Sequence, residues 1–285
     1  MKHFQSLAAT AATLLLAASC SIKEDRIQCH APVTVCVNTF SVSQEVIPLT
    51  KAAQSVADYT VVKSITLAFF NSDGSEQYKS TQLRSSAASF GDFSLTLPYG
   101  SYKMIVIAHE GDFPITLSSL SEANFGGEKP KDTFLYSQDL VIENSTPVNL
   151  SATLQRIITR LIVISSDAKP GNVKDIRISF SKGGTAFNPV SGFAAPDGGL
   201  VNTITPNTAI GDITKLRTTF FLADLEDDLD VTIETLDAFG TILNTRTVNT
   251  VSFRRNRRTS SPGASIRHPA RRLSGSKPNL RRITT

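Results

Sequence analysis

Apolar and polar residues alternate in short runs along most of this chain, from about residue 32 onwards. The run PVTVCVNTF places Val33, Val35 and Val37 on one face, and the runs SITLAFF (64–70) and FSLTLPYGSYKMIVIA (93–108) repeat the pattern. A period of two residues is typical of β-strands with one buried face. The pattern therefore predicts strands and not helices.

Roughly a dozen such runs follow one another at short spacing, separated by Gly, Pro, Asn and Asp, with no long helical period after residue 20. This arrangement predicts an all-β chain of two tandem β-sandwich domains, an N-terminal one at 32–149 and a C-terminal one at 150–259. The stretch SSLSEANF (118–125) could form a short connecting helix.

The N-terminus has the composition of an export signal. Lys2 and His3 precede an apolar run that matches the h-region of a secretory signal and is shorter than the ~20 residues of a membrane-spanning helix. Cys20 follows the small residues AAS, which resembles a bacterial lipobox whose leucine, Leu16, stands one place earlier than usual. We expect residues 1–19 to be a lipoprotein signal peptide.

Cys20 is the predicted lipidation site, and a covalent lipid is the one non-protein group that we expect. One acyl chain binds a membrane only marginally, whereas the three chains of a mature bacterial lipoprotein anchor it stably. Residues 20–31 would form the lipid-anchored tether. The alternative is a secreted protein whose signal happens to end at a cysteine.

The cysteines that remain, Cys29 and Cys36, would meet an oxidising compartment that permits a disulfide. A strand that began at Cys29 would hold the two about 23 Å apart, whereas bridged Cα atoms lie within about 7 Å. A bridge therefore requires a turn at residues 30–32, and two unpaired thiols are the favoured alternative.

The net charge of +4 is unevenly distributed. Ten of the 29 Lys and Arg follow residue 253, where there is no Asp or Glu, so the preceding part carries 19 basic against 25 acidic residues. A basic tail is typical of proteins that bind nucleic acid or an anionic membrane surface. Export argues against nucleic acid as a partner.

No catalytic or metal site is expected. GxSxG, HExxH, CxxC and P-loop sequences are absent from the chain. His109 is the one histidine in the body of the chain, and we interpret it as a solvated residue at the end of a strand. The acidic run ADLEDDLD (223–230) lacks the EF-hand spacing and indicates a solvated turn, and the glycine-rich 183–199 indicates a flexible loop or wide hairpin.

Several stretches together resemble one family. The opening CSIKEDRIQC, with Cys20, Glu24, Asp25 and Cys29, is similar to the mature start of fimbrial anchor lipoproteins of Bacteroidales, the FimB-like branch of the fimbrillins. ITLAFFNSDG, LTLPYGSYKMIVIAHEG, VNLSATLQRIITRLIVIS and FRRNRRT resemble later motifs of that family. The resemblance implies two transthyretin-like (Ig-like) sandwiches on a lipoprotein of the outer membrane.

The resemblance also implies a role in pilus assembly. Fimbrial shaft subunits of this family are cut after an Arg behind the first strand, and a strand of the next subunit fills the groove, while anchor subunits keep their lipid. The corresponding loop here, 41–60, contains Lys51, and no Arg lies between Arg26 and Arg84. This favours an anchor that contacts shaft subunits.

Two alternatives stay open, a shaft or tip fimbrillin in adhesion and a surface glycan-binding lipoprotein. The latter is disfavoured because the chain has no Trp and only five Tyr to offer as aromatic platforms.

The tail 260–285 departs from the family, which continues there with further strands. It shows neither alternation nor an acidic residue, so we expect disorder. It is either a basic tail near anionic headgroups or the product of a shifted reading frame, and translation of the coding DNA in the other two frames distinguishes these. The C-terminal sandwich would then be incomplete, with an exposed strand edge prone to self-association.

Overall fold

The computed structural model describes residues 32–43 and 54–264, and every regular element in these ranges is a β-strand. The first ten strands are β1 (Val33–Ser43), β2 (Gln54–Ser55), β3 (Ser64–Asn71), β4 (Glu76–Leu83), β5 (Phe93–Leu97), β6 (Gly100–His109), β7 (Thr116–Leu117), β8 (Ala123–Asn124), β9 (Thr133–Ile142) and β10 (Val148–Arg156). The remaining strands are β11 (Thr159–Ala168), β12 (Asp175–Phe180), β13 (Leu200–Ile204), β14 (Ile213–Phe220), β15 (Glu226–Leu236), β16 (Ile242–Arg254) and β17 (Arg258–Ala264).

The first sandwich packs a four-stranded layer, β9-β6-β3-β4, on a layer in which β1 lies between β10 and β5. The layers are joined where the end of β10 pairs with β9, at Gln155↔Leu135 and Arg156↔Phe134. The core between them is formed by alternate residues of both layers, as the period of two requires. All-β sandwich architecture is therefore confirmed.

The second sandwich repeats the strand order of these two layers, with no strand pairing between its layers among the described residues. Its layers are β13-β12-β15-β16 and β14-β11-β17, so that β11 corresponds to β1, β12 to β3, β15 to β6 and β17 to β10. In both sandwiches the first strand pairs in parallel with the last, β1 with β10 and β11 with β17. The two halves of the chain are thus one architecture used twice.

The structure corrects three sequence-based expectations. The division expected at residue 150 falls inside β10, which pairs with β1, and the chain leaves the first sandwich at Ile157–Ile158. The helix expected at 118–125 is absent, because this stretch contributes β8 to a small two-stranded sheet with β7. Residues 260–264 of the expected tail continue β17 beside β11.

A third apolar cluster joins the sandwiches. It covers the outer face of β3, β6 and β9 with residues of the β7–β8 segment, of the 183–199 loop and of the end of β14. Phe187 is fully buried there and lies 4.6 Å from Phe221, ring centroid to centroid. Gly184 and Phe221 also exchange both backbone hydrogen bonds at 3.0 Å, so this loop is packed. Of the two expectations for it, the flexible loop is wrong, whereas the antiparallel bridge between Phe187 and Ala194 fits the wide hairpin.

Candidate functional site

The predicted site residues Cys20, Glu24, Asp25 and Cys29 lie outside the residues that the structure describes, so their roles stay predictions. The predicted tether ends at residue 31, directly before β1. The candidate site in the described residues is therefore β1 together with the strands that pair with it.

Strand β1 is held deep in the first sandwich. Its inward side chains are at most 3% exposed: Val33, Val35, Val37, Phe40 and Val42. Each such apolar side chain contributes about 1.5–3 kcal/mol on burial. Removal of β1 would therefore open a groove along the whole core.

Strand β1 forms backbone hydrogen bonds with β10 and β5. Strand β10 pairs with it in parallel from Val35↔Val148 to Ser43↔Gln155, and β5 pairs antiparallel with its first half, beginning at Val33↔Leu97. Since β10 ends at the junction of the two sandwiches, the start of β1 lies at the opposite end of the first sandwich. A force along β1, applied at Val33 and directed away from the junction, would load the hydrogen bonds of both ladders together, in shear.

Cys36 occupies an outward position in this strand. It is half-buried, and its Sγ lies 3.9 Å from Ser94 Oγ of β5. Cys29 is outside the described residues, so whether the two cysteines pair stays a prediction.

Arg84 fastens the segment that follows β2. Its guanidinium donates hydrogen bonds to the carbonyl oxygens of Val62 (2.7 Å), Ala57 (2.9 Å) and Val56 (2.6 Å), and it lies 4.2 Å over the Phe90 ring. Burial lowers the pKa of Arg84. Sequence reasoning missed this role because the partners lie 22 to 28 residues earlier and leave no local signal.

A buried ion pair stands beside the junction of the sandwiches. Arg156 Nε lies 2.8 Å from Asp132 Oδ1, and its guanidinium also donates to Tyr59 Oη at 3.3 Å. Burial raises the pKa of Asp132, although Arg156 and Arg160 act to lower it. Burial likewise raises the pKa of Tyr59. These contacts fix the end of β10 just before the chain enters the second sandwich.

His109 is fully buried, which corrects the expectation of a solvated strand-end residue. Its Nδ1 accepts a hydrogen bond from the Gly111 amide at 3.1 Å, and its ring contacts Phe113 and Phe125, with centroids 5.3 and 5.4 Å away. Burial, with a smaller effect of the Lys131 charge, lowers the pKa of His109 to about 4. The imidazole is therefore neutral at pH 7 and has a packing role.

The acidic run does not converge on a cation site. Residues 226–230 begin β15, so that only its first part is a turn. Asp227 pairs with Lys182 at 2.9 Å, Glu226 pairs with Arg254 at 3.0 Å, and Asp230 accepts from the Thr250 amide at 3.0 Å. Within 32–43 and 54–264, no group of three or more His, Cys, Asp or Glu is placed to hold a metal.

Two open grooves mark the second sandwich. One, of about 570 Å³, lies between the β7–β8 segment and β13, where Lys129 Nζ donates to Thr203 O at 2.9 Å. Phe125, the one aromatic residue in its lining, is 3% exposed. The other, of about 770 Å³, lies beside the start of β17 and is lined by charged residues such as Asp228 and Arg257. Neither groove presents an aromatic platform for a sugar ring.

In the part of the chain that the structure describes, no helix has the length and apolar character needed to cross a membrane.

The fold is similar to that of solved proteins from Bacteroides and Porphyromonas. A candidate adhesin from Bacteroides ovatus is 12% identical with a TM-score of 0.51, over 84% of this chain and 94% of that one. A second candidate adhesin from this species is 14% identical with a TM-score of 0.50, over 75% and 77%. The fimbrial anchor protein Mfa2 from Porphyromonas gingivalis is 13% identical with a TM-score of 0.50, over 76% and 82%.

These structural likenesses show that the chain shares a fold with these proteins. A search of curated protein sequences finds no match. The model of a family of unknown function, DUF6562, matches residues 31–264, which span β1 to β17. The chain belongs to the DUF6562 family.

Proposed function

We propose that the protein is a lipoprotein of the outer membrane that acts as a fimbrial anchor or assembly subunit, and that it fixes a pilus to the cell surface through strand-exchange contacts with a shaft subunit. The observation that carries the proposal is the position of β1. The strand that directly follows the predicted lipid tether is fully built into the first sandwich.

Retention of β1 is what separates an anchor from a shaft subunit. No Arg lies between Arg26 and Arg84, so a protease that cuts after Arg has no target in the loop behind β1. A cut at Arg26 would shorten the tether and leave β1 in place. The guanidinium of Arg84 itself is occupied by backbone carbonyls, which supports the same conclusion.

The geometry of β1 suits an anchor that is pulled. Tension from a pilus would act between the lipid and the body of the protein, and it would reach the fold at Val33. Because β1 runs parallel to β10 along most of its length, all of the shared hydrogen bonds must yield together before the strand leaves. A ladder loaded at one end would instead open one bond at a time.

Substitution of the predicted lipid cysteine tests the proposal. Cys20→Ala should move the protein from the membrane fraction to the medium and release fimbriae with it. Cys36→Ala is the matched control, because it removes a thiol outside the tether, and it should leave the protein on the membrane. Retention of the Cys20→Ala protein on membranes would overturn the proposal, and recovery of a chain trimmed after β1 from sheared fibres would favour a shaft subunit.

A further inference from the structure

The last strands of the two sandwiches hold the same position but differ in chemistry. In the first sandwich, β10 buries Ala152 and Leu154 in the core and packs Val148 and Leu150 against it. In the second, β17 reads RTSSPGA and contains no Val, Ile, Leu, Met or aromatic residue. We call the place of β17 beside β11 the seventh-strand position of the second sandwich, since β17 is the seventh strand from β11 onwards. This position lacks the apolar side chains that β10 supplies at the equivalent place in the first sandwich.

The first residues of β17 are also largely exposed, and its pairing is irregular. Arg258 and Ser260 are exposed, and Thr259 is half-buried. Pro262 has no N–H to donate to a ladder, and the register with β11 shifts between Ile164 and Ser165. Proline and irregular register are typical of strands that lie at the edge of a sheet.

The strand beside it is a well-formed acceptor. Leu161 and Val163 of β11 are 1% and 3% exposed and belong to the core of the second sandwich. On its other side, β11 is secured by antiparallel pairing with β14, from Thr159↔Phe220 onwards. Among the described strands, β17 pairs with β11 alone. It can therefore leave without breaking another pairing between described strands, and its departure frees the β11 backbone from Arg160 to Ser165.

From this contrast we infer that the seventh-strand position of the second sandwich is a strand-exchange site, where β17 yields to an extended strand of a partner subunit. This rests on the proposed function in assembly and names the site where it acts. The incoming strand runs parallel to β11 and carries apolar residues at alternate positions. Main-chain hydrogen bonds supply affinity and alternate side chains supply specificity in such complexes.

Strand β10 of the first sandwich shows what kind of strand would fit this site. Strand β10 fits beside β1 in the equivalent parallel register, with Leu150, Ala152 and Leu154 spaced two residues apart. A peptide of residues 146–156, TPVNLSATLQR, is therefore a defined probe for the second site. The matched control peptide replaces its two leucines with serine and keeps its length, charge and backbone.

Binding is measured by fluorescence anisotropy with the full mature chain, in which Cys20, Cys29 and Cys36 are replaced by Ser. We expect the TPVNLSATLQR peptide to bind at least ten-fold more tightly than its serine control. Equal binding of the two peptides would overturn the inference.

A disulfide lock identifies where the peptide binds. Ile162 and Ser260 are paired in register, and neighbouring strands bring Cα atoms within the range that a disulfide spans. In the same background, the Ile162→Cys/Ser260→Cys variant should lose at least ten-fold in affinity when oxidised and regain it when reduced. Binding that ignores the oxidation state would place the peptide elsewhere and overturn the inference.

A second pair of variants keeps the test valid if the lock disturbs folding. Thr259→Leu adds an apolar side chain at a half-buried position of β17 and should weaken peptide binding, whereas Ser260→Leu, at an exposed position, should not. The same effect from both would contradict the inference. The two proposals can fail separately. If Cys20→Ala releases the protein from the membrane but the peptide does not bind, the proposed anchor role stands and the proposed exchange site is wrong.

Discussion

The buried His109 should make the free energy of unfolding depend on pH, because its pKa differs between the folded and the unfolded chain. Its imidazole is fully buried against Phe113 and Phe125, and its pKa is lowered to about 4 from an ordinary value of 6.5. The folded protein thus binds this proton less readily than the unfolded chain does. Stability is then lost as the pH falls below 6.5, and the loss is complete once the pH is below 4.

The size of this loss follows from the difference in pKa. One pKa unit corresponds to 1.36 kcal/mol, so His109 should remove about 3 kcal/mol of the free energy of unfolding, most of it by pH 4.5. Asp132 acts in the opposite direction, because its raised pKa makes the folded state the better proton acceptor. The effect of His109 must therefore be measured as a difference between two proteins.

The assay is urea unfolding of the wild type and of His109→Asn between pH 7.5 and pH 4.5. The amide oxygen of Asn can accept the Gly111 hydrogen bond but does not titrate in this range. We expect the variant to be less stable at pH 7.5, because its smaller side chain leaves space in the core. The difference should shrink by about 2.5 kcal/mol at pH 4.5. Parallel stability curves for the two proteins would refute the reasoning.

Two further substitutions test the packing between and within the sandwiches. Asp132→Asn leaves Arg156 without its buried partner and should lower the free energy of unfolding, measured with urea at pH 7, by about 3 kcal/mol. The control Asp139→Asn removes the exposed partner of Lys103 and should lower it by less than about 1 kcal/mol. Similar losses for the two variants would contradict the role of Asp132. Gly183→Ala should cost about 1–3 kcal/mol, because Gly183 has φ +88° and an added Cβ would meet Phe221 O at 2.7 Å. Gly198→Ala, where an added Cβ has open space, is its control, and an unchanged melting temperature of Gly183→Ala would contradict the packed loop.

The fold class could be predicted because it depends on a local pattern. Alternation at Val33, Val35 and Val37 fixes a strand with one buried face, and these side chains are indeed buried. The partner of each strand depends on contacts between distant segments. The run from residue 147 to residue 165 alternates without a turn signal, so the sequence could not show that β10 closes the first sandwich and β11 opens the second.

The burial of His109 was missed for the same reason, because it depends on contacts between distant segments. The surroundings of His109 are formed by Phe113 and Phe125, and nothing near His109 indicates that Phe125 folds back over it. Phe187, by contrast, offered a usable signal, because a large aromatic residue within a glycine-rich loop is costly to leave in water. Strand β17 could not be predicted from its polar sequence, since its place depends on the open edge of β11.

The central claim is that the mature protein keeps both its lipid and its first strand. Mass spectrometry of the N-terminal peptides of the protein, purified from outer membranes that carry fimbriae, tests this most directly. The account predicts a chain that begins at an acylated Cys20 and continues without a break through β1 to Ser43. An unmodified Cys20, or a chain that begins after Ser43, would contradict it.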